Sequence, residues 1–134
     1  MTSKEPVPFS TETEPVLILI ADDEEPIVEM LAAFVKELGF TPLVAQNGQE
    51  ALRLARERRP ALIITDLMMP LLSGADLIRA LHAEPTDNGR VPPPIVLLTA
   101  GSERAANQVH ADAILLKPFD LNKLEQVIHR LLAR

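Results

Sequence analysis

Four apolar runs in this chain stop on residues whose types suit one kind of chemistry. "VLILIA" gives way to Asp22 and Asp23, "ALIIT" to Asp66, "PIVLLT" closes on Thr99, and "AILL" is followed by Lys117. Each run reads as a strand buried in a parallel sheet, so the polar residue at its end marks the strand's mouth. Asp66 poses the sharpest question, because a carboxylate is costly to bury without a partner. It either caps a strand at the solvent boundary or stands there to react. If the four mouths meet, three carboxylates, a hydroxyl and an ammonium converge. Like charges packed together repel, and a hard cation among them relieves the repulsion. Oxygen-only ligands with no histidine or cysteine beside them suit magnesium, with manganese as its substitute, rather than zinc. The cation leaves Asp66 able to act as a nucleophile, and carboxylates do form acyl-phosphates. Cation, Thr99 and Lys117 would then neutralise the oxygens of a transferred phosphoryl group.

Whether the mouths meet depends on the elements that carry them. Residues 1–14, rich in Pro, Ser, Thr and Glu, are expected to form a disordered tail, with a single domain over 15–134. Strand and helix periods then alternate. After the strand at 16–21 comes a helix with Ile27, Met30, Leu31, Phe34, Val35 and Leu38 on one face, opened by Pro26 and stopped by Gly39. "TPLVA" (41–45) is a weaker strand whose Pro42 suits only a sheet edge. Asn47 and Glu50 have capping-box spacing before a helix with Ala51, Leu52 and Ala55 inward, ended by Pro60. The third strand is 61–65, and Ser73 caps a helix carrying Leu77, Ile78 and Leu81. Strands at 94–99 and 113–116 follow, and Asp120 caps a last helix with Leu124, Val127, Ile128 and Leu131 inward. "GSERAANQVHAD", between the last two strands, has room for only a short helix.

This alternation predicts an α/β fold: a (βα)5 doubly wound parallel sheet of five strands with right-handed crossovers. The most apolar strands belong at its centre and the proline-bearing one at an edge. An order of 2-1-3-4-5, the flavodoxin-like arrangement, satisfies both and puts a ligand site outside the carboxyl ends of strands one and three. The mouths therefore meet.

Composition excludes several function classes. A net charge of −6 and the lack of a Lys/Arg stripe with interleaved aromatics speak against a nucleic-acid surface. With no cysteine there is no disulfide, thiolate zinc site or thiol catalysis. The N-terminus has no signal-peptide core and no apolar run approaches spanning length, so a cytoplasmic location away from membranes is expected.

The motifs "ADDEEP", "ITDLMMP", "LLTA" and "LLKPF", in this order and spacing, resemble the receiver domain of two-component response regulators, CheY-like, over about Val16 to Leu132. The resemblance implies that Asp66 is the phosphoacceptor, Asp23 a direct magnesium ligand, and Asp22 a ligand directly or through water. The main-chain carbonyl of Met68 would complete the protein's share of the shell. Thr99 would hydrogen-bond the phosphoryl group and Lys117 would pair with it, with a cis Lys117–Pro118 bond. The phosphoryl donor would be a sensor histidine kinase or a histidine phosphotransfer protein. The output would be an unidentified protein target, with homodimerisation left open. Such a domain is no enzyme beyond its own phosphorylation and dephosphorylation. The sequence ends with the last helix, which leaves a stand-alone receiver and a piece of a longer protein both open.

Taken singly, each residue has a plainer reading. Asp22 and Asp23 suit a helix N-terminus, Asp66 a strand cap, Thr99 an ordinary strand and Lys117 a snorkelling surface lysine. The plain readings do not account for their coincidence. His82, His110 and His129 are scattered and read as surface or packing residues. Two features depart from the family pattern: Ile114 stands where an aromatic is usual, and the stretch from Thr99 to Lys117 is short by roughly one helical turn. They keep a second reading in view, a non-phosphorylated interaction module on the same fold. The stretch 101–111 is expected to be the least stable structured region and the part that phosphorylation orders. A haloacid-dehalogenase-type phosphatase would need a second acid two residues past the nucleophile, which "TDLMMP" lacks, and it would follow the first strand. In a flavin carrier, "DDEE" would repel the cofactor phosphate.

Overall fold

The computed structural model describes residues 15–84, 91–101 and 109–133. Nine elements run through these residues: β1 (Leu17–Ala21), α1 (Glu25–Glu37), β2 (Thr41–Ala45), α2 (Gly48–Arg58), β3 (Leu62–Asp66), α3 (Gly74–Ala83), β4 (Ile95–Thr99), β5 (Ala113–Leu116) and α4 (Leu121–Leu132). The five strands form one sheet in the order β2-β1-β3-β4-β5, and every pairing is parallel. The expected tail (1–14) and the core of the expected short helix (102–108) lie outside the described residues.

Alternation along each strand builds two cores. Leu19, Ile63, Ile95 and Leu97 face α2 and α3, meeting Ala51, Ala55, Leu77, Ile78 and Leu81. Ile18, Ile20, Leu62, Ile64, Val96 and Leu98 face the other way, onto Leu31 and Val35 of α1 and Leu124, Ile128 and Leu131 of α4. Because β1, β3 and β4 are covered on both faces, their sequences are continuously apolar. Pro42 sits in β2, paired only with β1, where a missing N–H costs no ladder bond on the outer side.

Caps fix the helix starts. Asn47 accepts from the Glu50 amide at 2.8 Å, Ser73 from Asp76 at 3.1 Å and Asp120 from Asn122 at 2.8 Å. The Glu50 carboxylate does not complete the reciprocal bond to Asn47; it accepts from the Gln46 amide at 3.1 Å, one residue earlier. Gly39 ends α1 at φ +98°, a conformation that costs glycine nothing.

β1, β3 and β4 each start one residue later than the sequence suggests, and two further features differ. The inward stripe of α1 is Val28, Leu31 and Val35, while Met30 is exposed. At 100° per residue Met30 stands about 130° round from that stripe. β3 runs one residue further than its apolar run, so Asp66 is itself a ladder residue, and the following Leu67 amide donates to the Leu98 carbonyl at 2.9 Å. No described helix is long and apolar enough to cross a membrane.

Candidate functional site

Strand register assembles the acidic cluster. β1 and β3 pair Ala21 with Thr65, so one more step along the same register sets Asp22 beside Asp66. β3 pairs Asp66 with Leu98, and β4 pairs Thr99 with Leu116. Thr99 and Lys117 therefore leave the sheet on the same rim, where the Lys117 amide donates to the Thr99 carbonyl at 2.7 Å. Asp22, Asp66 and Thr99 are buried, whereas Asp23 is exposed. One carboxylate oxygen from each of Asp22, Asp23 and Asp66 lies within 4.8 Å of the others.

Lys117 ties the cluster together. Its Nζ donates to Asp22 Oδ2 at 3.0 Å and stands 3.2 Å from Asp66 Oδ1 and 3.6 Å from Glu24 Oε1. The other Asp22 oxygen accepts the Glu24 amide at 2.9 Å, an Asx turn that opens the path into α1. The Asp22 amide donates to the Ala45 carbonyl at the end of β2, at 3.2 Å. Asp22 is thus held at its main chain and at both carboxylate oxygens. The Lys117–Pro118 peptide is cis.

Burial raises the Asp66 carboxyl above the usual carboxylate range, the Asp22 charge adds to this, and Lys117 pulls it back only in part. Burial also opposes the Lys117 charge, but the hydrogen bond to Asp22 and the charges of Asp66 and Asp22 outweigh it, so its titration lies above the ordinary lysine value. Three carboxylates and one ammonium leave two negative charges uncompensated when all are ionised. This donor set is all oxygen, anionic and converging from one side, which fits a small hard cation such as Mg²⁺.

Asp22, Asp23, Asp66 and Lys117 meet here through their side chains, and Thr99 joins them through its main-chain carbonyl, which accepts from the Lys117 amide. Met68 follows two residues after Asp66 with its side chain 72% exposed, and Leu71, at φ +72°, is nearly as exposed. Gly74, the first residue of α3, packs directly on this loop: a Cβ there would lie 2.2 Å from the Asp66 carbonyl oxygen. Ile114 is half-buried against the core under α2 and α3. The three histidines are exposed, and His129 lies beside Phe40 and Glu125. Two contributors were not singled out by the sequence. Thr65 donates its hydroxyl to the Asp66 carbonyl at 3.0 Å, and nothing distinguishes it from any strand threonine. Glu24 reaches Lys117 from the solvent side; a run of four acids announces it, but spacing does not say which of them meets the lysine.

The family model of the response regulator receiver domain matches residues 18–129. The chain belongs to that family. Response regulator Rre1 of Synechocystis sp. is 36% identical over 126 residues, covering 90% of this chain and 53% of that protein. The chain thus spans about half the length of the curated relatives it matches. Among solved structures, it is similar to the receiver domain of sensor histidine kinase PA1611 from Pseudomonas aeruginosa, which has a magnesium ion coordinated in its active-site cleft. The TM-score is 0.80 at 27% identity, covering 90% of this chain and 99% of that one. It is also similar to the receiver domain of Ssk1 from Saccharomyces cerevisiae, solved with the histidine phosphotransfer protein Ypd1. There the TM-score is 0.79 at 28% identity, covering 87% of this chain and 88% of that one.

Proposed function

We propose that this receiver domain takes a phosphoryl group onto Asp66 from a phosphohistidine and thereby switches a protein-binding surface. The observation that carries the reading is the placement of Asp66: a buried carboxylate at the end of the central strand, 3.2 Å from Lys117 and grouped with two further aspartates. Asp22, Asp23, Asp66 and the main-chain carbonyl of Met68 would hold Mg²⁺. That cation would offset the charge on the phosphoryl oxygens and leave Asp66 free to attack.

An Asp66 oxygen attacks phosphorus in line with the leaving group, the phosphorus–nitrogen bond of the donor imidazole breaks, and an acyl phosphate results. Lys117 exchanges a carboxylate partner for a phosphoryl oxygen, and the Thr99 hydroxyl donates to another. These new contacts differ between the two states of the domain and are what a phosphoryl group can use to shift their populations. The donor is a sensor histidine kinase or a histidine phosphotransfer protein, a partner class supported by the Ssk1–Ypd1 likeness. The domain would turn over no substrate other than its own phosphoryl group.

Intact-mass measurement after incubation with acetyl phosphate and Mg²⁺ tests this. The wild type gains one phosphate, and Asp66→Asn, nearly isosteric but no nucleophile, gains none. A phosphate on the variant, at Asp22 or Asp23, would contradict the assignment. No adduct on the Mg²⁺-bound wild type would favour the non-phosphorylated interaction module.

A further inference from the structure

Among the described residues Lys117 has three acidic neighbours, and they are not equivalent. Asp22 and Asp66 are buried, whereas the Glu24 side chain is 61% exposed. Glu24 occupies the N-cap position of α1, yet its side chain makes no capping bond, while its amide is engaged by Asp22. The carboxylate is therefore free of the usual duty of that position and extends over the lysine, 3.6 Å from Nζ. It is the solvent-facing charge of the group. Any phosphoryl donor that brings phosphorus to Asp66 and an oxygen to Lys117 must pass close to it.

We propose that Glu24 is a donor-selecting residue, whose carboxylate at the mouth of the acidic site disfavours small, highly charged phosphoryl donors relative to less charged ones. The proposal rests on Asp66 being the phosphoacceptor. The physical ground is Coulombic: a fixed negative charge beside the entry path repels a dianion twice as strongly as a monoanion at the same distance. The same charge attracts a divalent cation. Removing it should therefore move two measurements in opposite directions, which a merely structural defect would not do.

The test compares wild type, Glu24→Gln and Glu24→Asp with acetyl phosphate, a dianion at neutral pH, and phosphoramidate, which carries about one net negative charge. At low salt and saturating Mg²⁺, Glu24→Gln should be phosphorylated about threefold to tenfold faster by acetyl phosphate and only about twofold to threefold faster by phosphoramidate. Both gains should vanish near 1 M salt, where screening acts within about 3 Å. Mg²⁺ titration without any donor should show about twofold to fivefold weaker binding by Glu24→Gln. Glu24→Asp, which keeps the charge, should retain the wild-type donor preference. Equal acceleration with both donors, gains that persist at high salt, unchanged or tighter Mg²⁺ binding, or Glu24→Asp behaving like Glu24→Gln would each overturn the role of Glu24 alone. Absence of uptake by the wild type from either donor would overturn the phosphoacceptor reading and this proposal with it.

Discussion

Asp66 pays for its position in stability. Its carboxyl titrates above the usual range because the group is buried next to Asp22. An acid whose titration is raised on folding favours the folded state while protonated, and that contribution is lost as pH rises through the raised value. Without metal, Asp66→Asn should therefore melt higher than wild type at neutral pH, by several degrees, since about 1 kcal/mol moves the midpoint of a domain this size by ~4 °C. The difference should close as pH falls below the carboxylate range. Thermal melts in chelator across pH check it, and identical midpoints at every pH would mean that Lys117 compensates the charge in full. Met68 carries a different prediction. Its exposed thioether, two residues past the proposed phosphoacceptor, can neither orient nor deprotonate an attacking water. Met68→Asn and Met68→Glu should shorten the lifetime of the phosphorylated form, by roughly tenfold where the new group engages water. The decay of the phosphorylated mass reads this out, and unchanged decay in both variants would place the water elsewhere.

Between elements, the constraint that bears on the site is the seating of α3 on the end of β3. The Gly74 amide donates to the Leu67 carbonyl at 2.9 Å. A Cβ on Gly74 would meet the Asp66 carbonyl oxygen at 2.2 Å and the Leu67 Cα at 3.0 Å. These are backbone atoms and cannot rotate away, so Gly74→Ala must push helix and strand apart. A cost of about 1–3 kcal/mol is expected, together with weaker Mg²⁺ binding, because the displaced strand end carries Asp66. Gly39→Ala is the contrast. Its φ of +98° makes alanine strained, but nothing lies within 4 Å of the added carbon. It should cost about 1–2 kcal/mol and leave Mg²⁺ affinity unchanged. Denaturation and Mg²⁺ titration of the two variants separate local backbone strain from displacement of the site.

At the scale of the whole molecule, the acidic site exists only when the separate strands are assembled. A cation held there binds the folded chain and not the unfolded one, so it stabilises by mass action, about 2.7 kcal/mol at one hundred times its dissociation constant. Chelating Mg²⁺ from the wild type should lower the melting midpoint by about 10 °C under that condition. Asp66→Asn, short of one charged ligand, should show a smaller shift. A midpoint indifferent to Mg²⁺ would mean that the three aspartates hold no cation.

The sequence by itself determined the element order, the strand order and the residues on the site's rim. A parallel sheet covered on both faces demands unbroken apolar strands, so the polar residue that ends each run is conspicuous. Pro42 placed β2 at the edge because a ladder cannot use a residue without an N–H. The capping oxygens of Asn47, Ser73 and Asp120 were legible for a similar reason: they act within three residues of themselves. Tertiary structure alone decided what depends on direction and depth. It set Val28 rather than Met30 into the core, since the apolar residues of α1 spread round more of the helix than the sheet covers. It carried β3 through Asp66, because Leu98 on the neighbouring strand offers a carbonyl to the following amide. It also brought Asp22 and Glu24, out of four consecutive acids, to Lys117; the Glu24 contact joins residues 93 positions apart and is fixed only when β1 and β5 end on the same rim.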